Sequence, residues 1–329
     1  MRARTQSHSS VTCRLSQGAR RGVKTLVLGS SGFLGRHLVP HLRAQGHEVT
    51  APTSRELDLT RTVLEDWNPG VAFDRIYHLA AWTRAGEFCA THGGEQWIVN
   101  QRINTNVLAF WARRQPQAQM IAFGTSVSYA KDVPLTEDNY LAGLPIDRFY
   151  GYAMSKRMLL AGLQTLHQQF GLRYLYAIPS TLYGPGYHLD GRPLHFIYDL
   201  IRKIVRGQRH GEPVVLWGDG QQRRELIYVG DFIPLLQTLA DRTEHDLYNI
   251  GAGEEYSIRE FAEIICDEVG FSVAHLQFDP ARYVGAKSKV LSIAKARAAL
   301  EDYSVHPLRD SLRETIRWAR TSGLCDFSD

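Results

Sequence analysis

Apolar runs and helical repeats alternate along the first half of the chain. The run at residues 25–28 leads directly into a glycine-rich loop, and Leu34, Leu38 and Leu42 then recur every four residues up to Gly46. A short apolar run followed by a repeat near 3.6 residues is typical of a buried strand, a turn and an amphipathic helix. The first elements of the fold are therefore predicted to be strand, glycine loop and helix.

The same alternation continues to about residue 180. Strands are predicted at 48–51, 76–79, 120–123 and 172–178, and helices at 106–114 and 152–170. Strands that alternate with helices form right-handed crossovers and a mainly parallel sheet. The fold class is therefore predicted to be α/β, with a doubly wound parallel sheet of the Rossmann type.

The alternation loosens after residue 180. A helix at 196–206, a strand at 214–217 and a capping box from Ser257 to Glu260 precede a last amphipathic helix that carries Leu308 and Ile316. This pattern predicts a smaller C-terminal α/β lobe, separated from the sheet by a cleft. We expect three parts: a basic flexible tail at 1–22, a dinucleotide-binding domain at 23–180 and a substrate lobe at 181–329, with some chain crossing between the lobes.

Composition and charge exclude several classes of protein. The 329 residues are 44% hydrophobic and 22% charged, an ordinary globular mixture. The net charge of +4 arises from residues 1–22, which hold five arginines and no acid, so the remainder is close to neutral. A neutral body lacks the basic surface that binds nucleic acid, and no apolar run is long enough to span a membrane.

The cysteines indicate neither a disulfide framework nor a zinc site. Cys13, Cys89, Cys266 and Cys325 are far apart and form no CxxC pair. The histidines, including His188, show no ligand spacing, so no metal is expected. We expect a cytoplasmic protein.

The glycine loop indicates a dinucleotide site. Gly29, Gly32 and Gly35 lie where the first strand meets the first helix, and a backbone without side chains there can approach a pyrophosphate at the helix N-terminus. The second strand ends in Ser54 and Arg55 without an acid at its tip, which favours the 2′-phosphate of NADP over the free ribose of NAD. The alternative is that Arg55 is a solvated loop charge paired with Glu56.

A tyrosine and a lysine lie four residues apart at the start of a predicted helix. Tyr152 and Lys156 therefore share one face of that helix, where an ammonium group is expected to lower the pKa of the phenol. Upstream, Thr125 and Ser126 follow the fourth strand, at the edge of a parallel sheet where active-site groups lie. A hydroxyl group there can polarise a carbonyl group.

Taken in order, these motifs resemble those of extended short-chain dehydrogenases/reductases that act on nucleotide sugars. The resemblance extends over about residues 23–318 and includes the sequences GSSGFLG, HLAA, YAMSK, LYGP, RELIYV and NIG. It implies a catalytic set of Thr125, Tyr152 and Lys156. It also implies NADP contacts from the glycine loop, from Asp58 at the adenine and from a further set comprising Ser31, Phe33, Leu34, Leu59, Leu79, Ala80 and Ala81.

Within this family, the chain resembles the GDP-L-fucose synthase branch most. This likeness places His195 on an acid/base histidine and implies substrate contacts from Ser126, Val127, Thr181, His195, Lys203, Trp217, Arg224 and Lys289. We therefore expect NADPH-dependent reduction of the C4 ketone of a nucleotide-linked 4-keto-6-deoxy sugar, with a GDP-sugar favoured. The family also implies a homodimer.

The chain departs from the branch at informative positions. Val127 stands where the branch has the cysteine that works with the histidine in epimerisation, and Ser292 stands where an acid reaches the nucleotide. Ser126 and Val127 also replace the acid pair that sugar 4,6-dehydratases need. Two alternatives to the reductase stay open: a C3 and/or C5 epimerase with or without reduction, and a catalytically silent NADP-binding regulator. His195 also has an alternative, as a surface or core histidine.

Overall fold

The computed structural model of the protein describes residues 22–282 and 287–326. The predicted basic tail therefore lies outside the described residues, except for Gly22. The strands are β1 (Lys24–Leu28), β2 (Glu48–Thr50), β3 (Arg75–His78), β4 (Gln119–Phe123), β5 (Tyr174–Pro179), β6 (Thr181–Tyr183), β7 (Val214–Trp217), β8 (Arg223–Arg224), β9 (Leu226–Tyr228), β10 (His245–Ile250), β11 (Tyr256–Ser257) and β12 (Leu276–Asp279). The helices are α1 (Phe33–Ala44), α2 (Phe88–Thr91), α3 (Gly93–Arg114), α4 (Tyr150–Phe170), α5 (Phe196–His210), α6 (Val229–Arg242), α7 (Ile258–Val269), α8 (Ala294–Ala299) and α9 (Leu308–Thr321).

A six-stranded sheet forms the centre of the fold. Its strand order is β10-β5-β4-β3-β1-β2, and every neighbouring pair is parallel. This arrangement confirms the predicted α/β class and parallel sheet. The edge strand β10 comes from beyond residue 180, so the chain returns to the sheet after part of the second lobe has been built.

Apolar side chains cover both faces of the sheet. On one face α3 and α4 contribute Phe110, Trp111 and Leu163 to a core that includes β1, β3, β4 and β5. On the other face α1, α6 and α8 pack side chains such as Leu38 and Phe232 against the sheet. The two layers hold the carboxyl ends of the strands at one common edge, which is where a parallel sheet presents its ligand site.

The second lobe has a core of its own. Helices α5, α7 and α9 pack together around Ile201, Phe261 and Ile316, with β7 beside them. The predicted capping box is present, since the Ser257 hydroxyl group accepts the backbone N–H of Glu260 and the Glu260 carboxylate accepts that of Ser257. It fixes the start of α7.

Helix α3 is longer than the sequence pattern predicts. The prediction covered 106–114, whereas the helix spans Gly93–Arg114. Its first half buries the amides of Gln96, Asn100 and Asn104, which bond to the loop after β3 and to α4 instead of contributing an apolar repeat. Buried amides of this kind hide a helix from a search for hydrophobic periodicity.

In the described part of the chain, no helix has the length and apolar character needed to cross a membrane.

Candidate active site

The loop between β1 and α1 packs so closely that only glycine fits at its key positions. Gly29 has φ +87°, and a Cβ atom there would lie 2.7 Å from the backbone nitrogen of Ala80. A Cβ atom at Gly35 would lie 2.5 Å from the carbonyl oxygen of Gly29. The bare backbone at the start of α1 therefore forms a cradle that fits the diphosphate of a dinucleotide.

The loop after β2 carries Arg55 next to Glu56, whose carboxylate already accepts hydrogen bonds. The Glu56 carboxylate accepts hydrogen bonds from the backbone nitrogen and the hydroxyl group of Thr53, at 2.8 and 2.9 Å, and these bonds lower the pKa of Glu56. Ser54 and Arg55 are exposed between them. Both bonds reach the same oxygen of Glu56, Oε2, so the predicted alternative, in which Arg55 pairs with Glu56, stays open.

Hydrogen bonds within the protein fix the predicted adenine contacts, Asp58 and Leu59. The Asp58 carboxylate accepts the backbone N–H and the hydroxyl group of Thr60, at 2.9 and 2.7 Å, and the pKa of Asp58 is lowered by these bonds. The Leu59 carbonyl oxygen accepts the amide of Asn106 at 3.0 Å. Hydrogen bonds within the protein therefore fix this segment.

Thr125 follows β4 and caps a short 3-10 turn, Ser126–Ser128. The backbone N–H of Val127 donates to the Thr125 hydroxyl oxygen at 3.4 Å. This bond uses one lone pair of the hydroxyl oxygen and leaves the hydroxyl proton of Thr125 free to donate to a substrate oxygen. Ser126 and Val127 are half-buried in the same turn, and Thr181 is half-buried at the start of β6.

Two buried tyrosines connect Thr125 with the helix that carries the Tyr-Lys pair. The backbone N–H of Thr125 donates to the Tyr140 hydroxyl group at 3.2 Å, and that group bonds to the Tyr176 hydroxyl group at 3.2 Å. Tyr176 also bonds to the Lys156 carbonyl oxygen at 2.7 Å. Neither tyrosine was predicted as a site residue; their only signal in the sequence is that each lies in a segment next to a predicted site element.

The Tyr-Lys pair has electrostatics that differ from the prediction. Burial raises the pKa of Tyr152 above its ordinary value, and the neighbouring Cys89 and Tyr140 raise it further. Burial lowers the pKa of Lys156 to about 8. The predicted lowering of the Tyr152 pKa by Lys156 is therefore wrong, because loss of hydration is the largest cause of the shift and Lys156 is not among its causes.

Cys89 is a neighbour of Tyr152 that was not predicted from the sequence. Its thiol is buried in α2, at the limit of hydrogen-bond distance from the Thr83 hydroxyl group (4.0 Å), and it influences the pKa of Tyr152. The loop before α2 also approaches the second lobe, since a Cβ atom at Gly86 would lie 3.3 Å from Pro193. The only sign of this neighbour in the sequence is that its segment follows the third predicted strand.

Three basic side chains, His195, Arg224 and Lys289, lie close enough to interact electrostatically. His195 immediately precedes α5, and burial together with Arg224 and Lys289 lowers its pKa to about 4. Burial and Arg224 lower the pKa of Lys289 to about 7. The Nδ1 atom of His195 is buried and has no protein partner, unlike that of a histidine satisfied within a core. The arrangement favours an anionic ligand, and it counts against the predicted alternative of a surface or core histidine.

An exposed tryptophan ends strand β7. Trp217 is 54% exposed, and the charged groups of Lys203 and Arg282 lie 5.8 and 5.4 Å from the centroid of its ring. A cavity of about 360 Å³ beside it is lined by Arg202, Arg206, Glu212, Pro213, Val215 and Asp279 as well. A flat aromatic face flanked by cations suits a nucleotide base and its phosphates. Within the described ranges, no group of His, Cys, Asp and Glu side chains has the arrangement of a metal site.

Comparisons with known proteins agree with this geometry. The model of the NAD dependent epimerase/dehydratase family matches residues 25–251. A dTDP-4-dehydro-6-deoxy-D-allose reductase from a Streptomyces species is 28% identical and aligns with 91% of this chain and 97% of its own length. GDP-L-fucose synthase 1 from Arabidopsis thaliana is 29% identical, over 94% of this chain and 97% of its own.

Solved structures share the fold. A GDP-L-fucose synthetase from Naegleria fowleri bound to NADP has a TM-score of 0.81 at 21% identity, covering 91% of this chain and 92% of the other. A GDP-mannoheptose C4 reductase from Campylobacter jejuni with NADP bound has a TM-score of 0.80 at 20% identity, covering 91% and 99%. These likenesses confirm the predicted Rossmann-type α/β fold.

Proposed function

The chain belongs to the NAD dependent epimerase/dehydratase family, and from this premise we propose that it is an NADPH-dependent reductase of the C4 ketone of a nucleotide-linked 4-keto-6-deoxy sugar. The observation that carries the proposal is the hydrogen-bonded chain from Thr125 through Tyr140 and Tyr176 to Lys156. It joins the backbone of Thr125 to the backbone of Lys156, and so connects the loop that carries the hydroxyl group with the helix that carries the Tyr-Lys pair.

The cofactor site is assigned to the first domain, residues 23–180. The glycine cradle would hold the diphosphate, Ser54 and Arg55 the 2′-phosphate, Asp58 and Leu59 the adenine, and Lys156 the nicotinamide ribose. When bound, NADPH supplies a hydride to C4 of the sugar. The family pattern at Leu79, Ala80 and Ala81 supports a further wall of this site, because Gly29 packs directly on that segment.

Tyr152 is the proton donor in this proposal. Its raised pKa keeps the phenol protonated near neutral pH, which is the form needed to protonate the C4 carbonyl oxygen as that oxygen gains negative charge. Thr125 donates a hydrogen bond to the same oxygen, while its own oxygen accepts the backbone N–H of Val127. The positive charge of Lys156 stabilises the phenolate that remains.

The substrate lobe, residues 181–329 with the chain crossing noted above, is proposed to hold the nucleotide sugar. Arg224 and Lys289 would bind the diphosphate beside His195, while Trp217 and Lys203 would flank the base. GDP is the favoured base because GDP-L-fucose synthases are among the relatives. A dTDP-sugar reductase is also among them, so both nucleotides belong in the test.

The decisive experiment is incubation of the purified protein with NADPH and GDP-4-keto-6-deoxymannose, followed by cofactor absorbance and by mass and NMR analysis of the sugar. We expect loss of NADPH with formation of a GDP-6-deoxyhexose. A parallel reaction with the dTDP-linked keto sugar determines the base preference. Tight NADPH binding without turnover of either sugar would instead identify a silent NADP-binding regulator.

We also propose a homodimer formed through α3 and α4. Side chains of Trp97, Ile98, Tyr150 and Met158 on these helices are 44 to 53% exposed although they are large and apolar. Apolar groups of this size on adjacent helices are typical of a subunit interface. Light scattering should give twice the chain mass of 37.2 kDa, and Met158→Glu should shift the protein towards monomer; a wild-type monomer would contradict the proposal.

A cytoplasmic location completes the proposal. The described cysteines Cys89, Cys266 and Cys325 are all free and buried, a pattern that suits a reducing compartment. Fractionation of the source cells tests it.

A further inference from the structure

The helix that follows the glycine cradle also contacts the loop that leads into the second lobe. In α1, the Nε2 atom of His37 lies 2.8 Å from the backbone carbonyl oxygen of Pro185, and the Nη2 atom of Arg36 donates to that of Gly186 at 2.8 Å. A carbonyl oxygen only accepts hydrogen bonds, so Nε2 of His37 carries the proton and donates. Two consecutive side chains of α1 therefore hold two consecutive carbonyl groups of residues 184–194, the connecting loop.

The connecting loop is also fixed to α5, the helix that begins after His195. The Tyr198 hydroxyl group accepts the backbone N–H of Gly184 at 3.0 Å and donates to the Gly184 carbonyl oxygen at 2.8 Å. The ring of Tyr187 stacks on that of Tyr198, which is fully buried, with the two centroids 3.9 Å apart. The backbone N–H of Tyr198 donates in turn to the His195 carbonyl oxygen at 3.0 Å. A continuous set of contacts thus joins α1 to the start of α5.

A cluster of rings brings the cofactor cradle into the same set of contacts. Phe33 is the first residue of α1 and follows Gly32 of the cradle. Its ring lies edge-on to the rings of His37 and Tyr187, at centroid distances of 5.1 and 5.7 Å. A diphosphate bound at the start of α1 restricts the motion of this turn. Because the same turn contacts the connecting loop, a bound dinucleotide should restrict that loop as well.

We propose that His37, assisted by Arg36, is a positioning residue that holds the connecting loop, and through it His195 and the substrate lobe, at a fixed distance from the cofactor. The inference rests on the proposed function, in which the nicotinamide belongs to the first domain and the sugar to the second lobe. The hydride donor and C4 of the sugar then meet only if the two lobes keep their separation, and a misplacement of about 1 Å can cost on the order of 100-fold in rate.

His41 offers a matched control one turn later on the same helix. Its Nε2 atom also makes a 2.8 Å bond, to the Oε1 atom of Gln237 in α6. Both histidines are half-buried, but α6 packs on the central sheet. His41→Leu therefore removes an equivalent bond without changing any contact of the connecting loop.

The first test is hydrogen–deuterium exchange of the full chain with and without saturating NADP⁺, followed by mass spectrometry of peptides that cover residues 186–194. In the wild type we expect NADP⁺ to slow exchange in this segment about fivefold or more, the lower end of measured couplings between sites. His37→Leu should abolish most of this protection, and His37→Gln, which retains an N–H donor, should restore it. His41→Leu should leave the protection unchanged.

Three results would overturn the proposal. Protection that persists in His37→Leu would show that the cofactor restricts the segment without this bond, and absence of protection in the wild type would show no restriction at all. Equal losses in His37→Leu and His41→Leu would show a general loosening of α1. If His37→Leu does not fold, Arg36→Met tests the same loop from an exposed position; a partial loss of protection would support the proposal and unchanged protection would contradict it.

Turnover of the keto sugar is measured separately at saturating NADPH. We expect His37→Leu to lower kcat about tenfold or more while the dissociation constant of NADPH stays within about twofold of wild type, since the lost bond lies outside the cradle. His41→Leu should keep both values, and a wild-type kcat in His37→Leu would contradict the positioning role. Because exchange is measured without any sugar, it tests the inference even if the keto sugar proves not to be the substrate.

Discussion

The Lys156 ammonium group lies 5.9 Å from the centroid of the Tyr152 ring. At this separation the lysine shares the helix face with the tyrosine, but burial dominates the pKa of the phenol and raises it. The pair is therefore arranged for a tyrosine that starts the reaction protonated and for a lysine that stabilises the anion formed afterwards. This order of events is the one that ketone reduction requires.

Removal of the Tyr152 hydroxyl group should separate binding from chemistry. Tyr152→Phe retains the ring and its packing, so NADPH affinity and melting temperature should stay near wild type, while kcat falls about 100-fold or more, the usual scale for a lost general acid. Tyr150→Phe is the matched control, since that tyrosine is exposed two residues earlier on the same helix. Near-wild-type turnover in Tyr152→Phe would remove this residue from the mechanism.

Two glycines with the same backbone conformation allow the cofactor cradle to be tested. Gly29 and Gly46 have φ of +87° and +83°, but a Cβ atom at Gly46 would meet no atom within 4 Å. Gly46→Ala should cost only the left-handed strain of about 1 to 2 kcal/mol. Gly29→Ala adds a collision with the Ala80 backbone, so it should lower the melting temperature further and weaken NADPH binding. Equal effects would show that close packing at Gly29 does not form the site.

Cofactor preference should depend on Arg55. Because a guanidinium group that binds the 2′-phosphate contributes only to NADPH, Arg55→Ala should weaken NADPH binding about tenfold or more and leave NADH almost unchanged. Arg43→Ala is the control, an exposed arginine at the end of α1. Fluorescence titration with both cofactors gives the dissociation constants; equal losses for NADPH and NADH would assign Arg55 another role.

The sequence was most informative where local pattern and packing agree. The strand at 214–217 and the capping box at Ser257 were predicted as the structure has them. The edge strand β10 was not predicted, because its residues are only partly apolar and Asn249 is buried through side-chain bonds to Tyr129, Leu135 and Ser292. A strand held by polar side-chain bonds shows no alternation of apolar and polar residues in its sequence.

In the site, too, local motifs were predictable from the sequence and contacts between distant segments were not. The motifs indicated Thr125, Tyr152 and Lys156, yet not the groups that surround them. Cys89 and Tyr176 approach Tyr152 and Lys156 from other elements of the fold. Proximity between distant segments is set by the packing of the sheet and helices, and no spacing in the chain encodes it. The direction of the Tyr152 pKa shift depends on this burial, which explains why the prediction from the helix face alone was wrong.

Substrate affinity should depend on pH through Lys289. The pKa of Lys289 is lowered to about 7 by burial and by Arg224, so the side chain is charged below this pH and neutral above it. A bound diphosphate favours the charged form, so KM for the nucleotide sugar should be lowest on the acid side and rise from about pH 7 upwards. Lys289→Arg stays charged and should flatten this rise. Assays at saturating NADPH between about pH 6 and pH 9 measure it, and an unchanged profile in the variant would exclude Lys289 as the cause.

The stereochemical outcome should follow from Val127. Epimerisation next to a ketone requires one group to remove a proton from one face and another to return it on the opposite face. His195 has a buried, unpartnered Nδ1 atom and a pKa of about 4, so it is neutral and able to accept a proton. Val127 has no ionisable group, and its backbone N–H is engaged with Thr125. We therefore predict reduction without double epimerisation at C3 and C5.

Deuterium exchange tests this prediction directly. The enzyme and the 4-keto sugar are incubated in D₂O without NADPH, and NMR then locates deuterium on the sugar. We expect none, or deuterium at a single carbon that His195 reaches, and Val127→Cys should introduce further exchange that is lost again when His195→Asn is added. Efficient incorporation at both carbons in the wild type would contradict the prediction. If that incorporation then disappeared in Cys89→Ser, the second proton transfer would belong to the buried thiol beside Tyr152, because that thiol already influences the pKa of Tyr152.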